Sequence, residues 1–93
     1  MSIQAEWDEQ KARSNRKKHG VSFEEARTVF DDPLFIMFLD VEHSTDQERY
    51  ITLGLSVKRR LLLIAHTDRE GIVRIISARK ATKNEKRVYE ESE

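Results

Sequence analysis

From Leu34 onward the chain is patterned for a sheet. Four apolar runs follow one another, Leu34 to Leu39, Tyr50 to Leu55, Leu61 to Thr67 and Ile72 to Ala78, each of strand length and partly rich in Ile, Val, Phe and Tyr. The breaks are polar. Val57 to Arg60 and Asp68 to Gly71 are short enough to join antiparallel neighbours, so the last three strands should form a meander, whereas Asp40 to Arg49 is a longer acidic loop. The runs at Tyr50 and Ile72 are apolar on both faces over part of their length, which places them inside the sheet rather than at its rim.

Upstream the signals are helical. After a short strand at Ile3 to Trp7, Asp8 is placed to cap a helix that runs to about His19, where Gly20 supplies the left-handed residue that ends it. Ser22 with Glu25 reads as a capping box before Ala26, Val29 and Phe30, and Asp31, Asp32 and Pro33 stop that second helix. Thr82 with Glu85 opens a last helix through Val88 and Tyr89, fraying into the acidic tail. The expected order is β-α-α-β-β-β-β-α, one antiparallel sheet with helices mainly on one face, which is the α+β class. Residues 1–93 form one domain, because a chain this short buries only about 60 to 65% of its unfolded surface around a single core.

The absence of cysteine excludes disulfides and thiolate metal sites. The start lacks a basic stretch followed by an apolar run, and apolar runs such as Leu61 to Ala65 are far too short to cross a bilayer. A cytoplasmic protein with no membrane partner is expected. Seventeen basic and seventeen acidic residues cancel, which by itself argues against a nucleic-acid ligand. Their distribution argues the other way. Lys11, Arg13, Arg16, Lys17 and Lys18 stand together without an acid, Lys58 to Arg60 form a second block, and Arg79, Lys80, Lys83, Lys86 and Arg87 surround Glu85 alone. The acids gather in the 40–48 loop and at the end. Such a chain has a basic side able to meet phosphates, or simply a solvated one.

A family resemblance rests on Glu6, Trp7 and Asp8, then Lys11 and Asn15, then Lys18 to Val21, Phe23 and Glu24, Val29 and Phe30, and Asp32 with Pro33. It continues through Arg49, Gly54, Thr67 to Arg69, Arg74 to Arg79, Glu85 and Tyr89. In order and spacing, across nearly the whole chain, these residues resemble the BrnT family of type II toxins. The resemblance implies a fold similar to the RelE-like ribonuclease toxins and metal-independent RNA cleavage that halts translation. It also implies neutralisation by a BrnA-type antitoxin with a ribbon-helix-helix DNA-binding domain, so that operator DNA is reached only through the antitoxin.

Cutting RNA without a metal uses the neighbouring 2'-hydroxyl as nucleophile. The protein must orient it, take its proton, stabilise the phosphorane and protonate the leaving oxygen. Arg79 is the first catalytic candidate, a guanidinium at the end of the last strand able to clamp a phosphate by two hydrogen bonds; the alternative is an ion pair with a carboxylate of the first two helices. Arg49 borders the acidic loop and either acts or pairs with Glu48 or Asp46. His66 and Arg74 complete the catalytic set if a three-residue turn, Arg69 to Gly71, puts them on one face. A two-residue Glu70-Gly71 turn moves Arg74 to the other, and His66 is equally well read as a half-buried strand histidine. Lys17, Lys18, His19, Ser77 and Lys80 are the RNA-binding candidates, though His19 also suits the C-terminal end of a helix dipole. Glu24 is accounted for by a helix start, Trp7 by the core, and Tyr89 either packs or reaches substrate.

The three histidines have no metal-ligand spacing, and no cofactor is expected. No serine sits in a Gly-flanked elbow. An antitoxin gains most by covering the basic face, with an acidic or amphipathic segment. Two other readings are a binding module without catalysis and an inactive toxin that only co-represses. Convergence of Arg79, Arg49 and a histidine would separate catalysis from mere binding.

Overall fold

The computed structural model describes residues 3–92. The first two residues of the start and Glu93 of the acidic tail lie outside them. The elements are β1 (Ala5–Glu6), α1 (Glu9–His19), α2 (Phe23–Thr28), β2 (Ile36–Leu39), β3 (Arg49–Leu55), β4 (Leu61–Arg69), β5 (Ile72–Lys80) and α3 (Lys83–Glu91), with single 3-10 turns at Val29–Asp31 and Val41–His43.

Local chemistry accounts for the helix ends. Asp8 Oδ1 accepts the backbone N–H groups of Gln10 and Lys11 at 2.8 and 3.1 Å, and a left-handed Gly20 closes α1 with its N–H on the Arg16 carbonyl. Arg16, Lys17, Lys18 and His19 fill the last turn, where cations complement the dipole. Thr82 and Glu85 form the complete, reciprocal capping box of α3. At α2 only half of the expected box forms. Ser22 Oγ accepts the Glu25 N–H, but the Glu25 side chain turns inward to the Ser56 hydroxyl (2.7 Å) and to Arg60. A buried carboxylate gains more from a guanidinium than from one more backbone N–H.

The sheet order is β1-β5-β4-β3-β2, so β3 and β5 are interior, as their apolar runs suggested, and β4 is central. Pairing is antiparallel from β2 to β5, but β1 runs parallel to β5, with Ala5 opposite Val73 and Glu6 opposite Arg74. The sheet is therefore mixed, not wholly antiparallel. The two helices after β1 carry the chain across the sheet's full width to β2, so no hairpin sets the direction of β1. Because β1 is so short, the edge of β5 is completed by α1. The Asn15 side-chain amide, buried, donates to the Ala78 carbonyl at 2.9 Å and accepts from the Ala78 N–H at 3.0 Å, as a strand would.

Val21, Phe23, Ala26, Val29 and Phe30 pack onto Leu62, Ile64, Val73, Ile75 and Ala78, with Trp7 edge-on to Phe23 at 6.0 Å. Gly54 lets β3 approach this layer closely: a Cβ there would lie 2.9 Å from Val29 Cγ1 and 3.0 Å from the Phe35 Cβ. Side chains alternate along a strand, so Leu53, its partner Leu63, and Arg79 opposite Leu63 point to the other face. There α3, bonded to Arg79 and touching β3, covers them, and Leu53 and Tyr89 are buried outside the main core. The helices thus divide two and one. The Tyr89 hydroxyl reaches Asp32 Oδ2 at 2.6 Å, and the same oxygen accepts the Leu55 N–H, which ties α3 to the segment before Pro33.

Candidate active site

The turn between β4 and β5 decides which side chains meet. Glu70 and Gly71 both have positive φ, 54° and 81°, the conformation of a two-residue hairpin loop. Arg69 therefore faces Ile72 and Thr67 faces Arg74, while a bulge at Ala65 and His66 sets His66 opposite Ile75. Of the two turn options open in the sequence, the chain takes the one that separates His66 from Arg74. His66 lies on the face under α1 and α2, and Arg74 on the opposite face.

His66 is 2% exposed. Its Nε2 is 2.7 Å from Thr52 Oγ1, its ring stacks on Tyr50 at 5.9 Å and meets Phe30 edge-on at 5.0 Å, and Nδ1 has no hydrogen-bond partner among the described residues. Burial lowers its pKa to about 4, against the opposing pull of the Thr67 backbone and the Asp68 charge. Near pH 7 it is a neutral core side chain, without access to the face that carries the arginines.

On that outer face a polar row crosses four strands: Arg49, Thr67, Arg74 and Glu6, each the register partner of the next. Arg74 Nη1 donates to Glu6 Oε2 at 2.8 Å, and both side chains are about half exposed, at 47% and 53%. Arg49 has no ion pair among the described residues, and Glu48, one of its expected partners, accepts the Tyr50 hydroxyl instead. Beside the row opens a cleft of 370 Å³, lined by Glu6, Gln47, Thr67, Arg69, Glu70, Ile72 and Arg74.

Arg79 shares the outer face but sits towards the far end of β5. Its Nη1 and Nη2 donate to the two carboxylate oxygens of Glu85, each at 2.9 Å, and Nη1 also to the Lys80 carbonyl. The hydrogen bonds to Glu85 raise the pKa of Arg79 and lower that of Glu85. This is an ion pair, made with α3 rather than with the first two helices. Arg49 and Arg74 come together across Thr67, whereas Arg79 and His66 do not join them.

A second groove, of 280 Å³, lies between α1 and β5 and is lined by Lys11, Ser14, Asn15, Lys18, His19, Ile76 and Ser77. It meets β5 at Ile76 and Ser77, whereas the first cleft meets it at Ile72 and Arg74. Of the RNA-binding candidates it collects Lys18, His19 and Ser77. Lys17 and Lys80 are exposed nearby without lining it. Glu6, Gln47, Thr67 and Arg69 were not among the candidates, and the signal that could have found them is the two-residue turn, whose register puts Thr67 between the two arginines. Among the described residues no cluster of three His, Cys, Asp or Glu is placed to hold a metal ion, and no helix is long and apolar enough to cross a membrane.

A family model described as "Ribonuclease toxin, BrnT, of type II toxin-antitoxin system" matches residues 7–85. Among solved structures, the chain is similar to the 1.1 Å crystal structure of the Brucella abortus ribonuclease toxin BrnT, with a TM-score of 0.66 and 19% identity, over 88% of this chain and all of that one. No curated protein sequence matches.

Proposed function

Because the chain belongs to the BrnT family of ribonuclease toxins of type II toxin-antitoxin systems, we propose that it is a metal-independent, RelE-like endoribonuclease that acts on RNA in the cytoplasm and so inhibits translation. Its antitoxin would be of the BrnA type, with a ribbon-helix-helix domain that alone touches operator DNA. One arrangement supports cleavage: Arg49 and Arg74 stand on the strands either side of Thr67, at an open cleft lined by Thr67 and Arg74, with a carboxylate, Glu6, 2.8 Å from Arg74.

The chemistry follows from these groups. A substrate phosphate seated over Thr67 draws Arg74 away from Glu6, which frees that carboxylate to take the 2'-hydroxyl proton. The 2'-oxygen attacks phosphorus, the bond to the 5'-oxygen breaks, and water in the cleft protonates the leaving oxygen, giving a 2',3'-cyclic phosphate. Arg49 and Arg74 stabilise the charge that builds up on the phosphorane, where fixed donors act most strongly. Flanking phosphates continue along β5 to Lys11, Lys18, His19 and Ser77, with Lys17 and Lys80 at the margins. In this reading Arg79 secures α3 and His66 secures the core.

The test is cleavage of a single-stranded RNA by the purified chain in EDTA, with the products identified. Cyclic-phosphate products are expected in EDTA, and Arg74→Ala should cut about 10² to 10³ times more slowly with an unchanged melting temperature. Activity that needs an added divalent ion overturns the metal-independent mechanism, and a wild-type rate for Arg74→Ala moves the site elsewhere. One observation favours a binding module instead, namely that Arg79, Arg49 and a histidine do not converge. RNA bound but never cut would select it.

A further inference from the structure

The edge of the sheet opposite β1 is unusual. Among the described residues β2 pairs only with β3. Asp40 N–H bonds to the Arg49 carbonyl, and the alternation of an antiparallel ladder then makes Phe38 and Ile36 the other bonded residues. The N–H and C=O groups of Met37 and Leu39 are left pointing outward. Natural edge strands are blunted by charge, proline or a bulge. This one reads Ile-Met-Phe-Leu, with Met37, Phe38 and Leu39 each about half exposed, at 51%, 45% and 47%. Leu34 before it and Val41 after it are exposed too, so among the described residues five of the seven large apolar side chains open to solvent fall within residues 34–41. Such concentration on one unpaired edge marks an interaction site.

The charges around it select the occupant. Between Thr28 and Glu48 there is no Lys or Arg, whereas Asp31, Asp32, Asp40, Glu42, Asp46 and Glu48 are all acidic. Glu42 and Asp46 have no ion pair among the described residues. Two copies meeting edge to edge would bring like charges together, and RNA would meet carboxylates. A segment that alternates apolar side chains with Lys or Arg satisfies the backbone, the apolar surface and the field at once.

We propose that β2 is the docking edge for the protein antitoxin, which adds a basic, apolar strand antiparallel or parallel to Ile36–Leu39. This rests on the toxin-antitoxin reading and deepens it, because it anchors the inhibitor at the acidic edge rather than on the basic face. The anchor is also next to the cleft, since the acidic loop that follows β2 contributes Gln47 to the cleft wall.

The experiment uses the full chain and the antitoxin encoded beside its gene. Affinity is measured by titration for wild type, Met37→Lys, Phe38→Lys and Glu42→Gln, with RNA cleavage and melting temperature recorded for each and amide exchange followed for the wild type. The substituted side chains are exposed and outside the cleft, so fold and cleavage should persist. The two Lys variants should each bind the antitoxin at least tenfold more weakly, Glu42→Gln should bind with a shallower salt dependence, and the Met37 and Leu39 amides should exchange more slowly in the complex. Equal affinity for wild type and both Lys variants, or unprotected Met37 and Leu39 amides, overturns the docking edge while leaving the toxin reading intact. An antitoxin that fails to bind even the wild type removes the reading and the inference together. A free chain that sediments as a dimer, and becomes monomeric in Phe38→Lys, assigns the edge to a second copy and overturns the proposal.

Discussion

The two sides of the sheet carry similar ionisable residues and treat them in opposite ways. On the side of α1 and α2 the charged and titratable groups that lose water are matched or neutral: Glu25 is enclosed by Arg60 and Ser56, and His66 is held uncharged by burial. On the other side Arg49 lacks an ion pair among the described residues, and Arg74 shares its charge with a carboxylate that is itself half in solvent. Water makes the difference. A group that has left water must be satisfied by the protein and is then committed, whereas a group still in water can exchange its partner for a phosphate.

The largest effect should come from breaking the committed pair. The hydrogen bond from Arg60 is the first cause of Glu25's lowered pKa, against the penalty of burial. Arg60→Ala would leave a carboxylate whose side chain is 2% exposed with only Ser56, and a loss of about 3 to 5 kcal/mol is expected in urea unfolding. Arg60→Ala combined with Glu25→Gln should recover part of it. A loss of less than about 1 kcal/mol would make the pair no different from a surface one and erase the contrast between the two sides.

The next effect is a pH dependence confined to the covered side. The folded pKa of His66 lies below its ordinary 6.5, at about 4, so the unfolded chain binds the proton first. The contribution of His66 is complete above pH 6.5 and is lost as pH falls towards 4. Glu25, Asp32 and Glu85 also have lowered pKa values; in Asp32 burial opposes the shift, and bonds from the Leu55 N–H, the Tyr89 hydroxyl and the Leu34 N–H outweigh it. Carboxylates act mainly at the acid end, so the window from pH 6.5 to 4.5 isolates the imidazole. Wild type should lose about 2 to 3 kcal/mol across it, and His66→Gln should stay nearly flat. Equal slopes would place a charged His66 in the fold.

This contrast also explains how far the sequence could be read. Element order was legible because caps and periodicity are local: Asp8, Gly20, Ser22 and Thr82 all mark real helix ends. The parallel pairing of β1 was not, since two residues carry no directional signal. Nor was the composition of the cleft. The grouping of Arg49, Thr67 and Arg74 depends on one two-residue turn and one bulge, and a shift of a single residue sends every side chain to the other face. Glu25 shows the same limit from the other direction. Its spacing from Ser22 fits a capping box, but the partner that claims its carboxylate lies 35 residues away.

Arg79 is the residue on which the two sides are hardest to tell apart, and its substitution should give the smallest effect. In sequence it is the strongest phosphate clamp, and in the fold it stands on the same face as Arg49 and Arg74. Yet α3 covers that part of the face, and both terminal nitrogens of Arg79 already bind Glu85, whose Oε1 also accepts the Thr82 N–H of the capping box. The pair is part-exposed, at 39% and 25% of the side chains, so solvent screens it and Arg79→Ala should cost only about 1 kcal/mol of stability. Arg79→Lys should restore part of that, because one ammonium keeps the charge but not the two-pronged geometry. If Arg79 is committed to α3, cleavage by the Ala variant should fall far less than in Arg74→Ala. The deciding comparison is cleavage rate beside melting temperature for both positions. A loss of cleavage in Arg79→Ala as deep as in Arg74→Ala, with melting unchanged, would mean that the guanidinium leaves Glu85 for the RNA. The site would then extend along the whole outer face of β5.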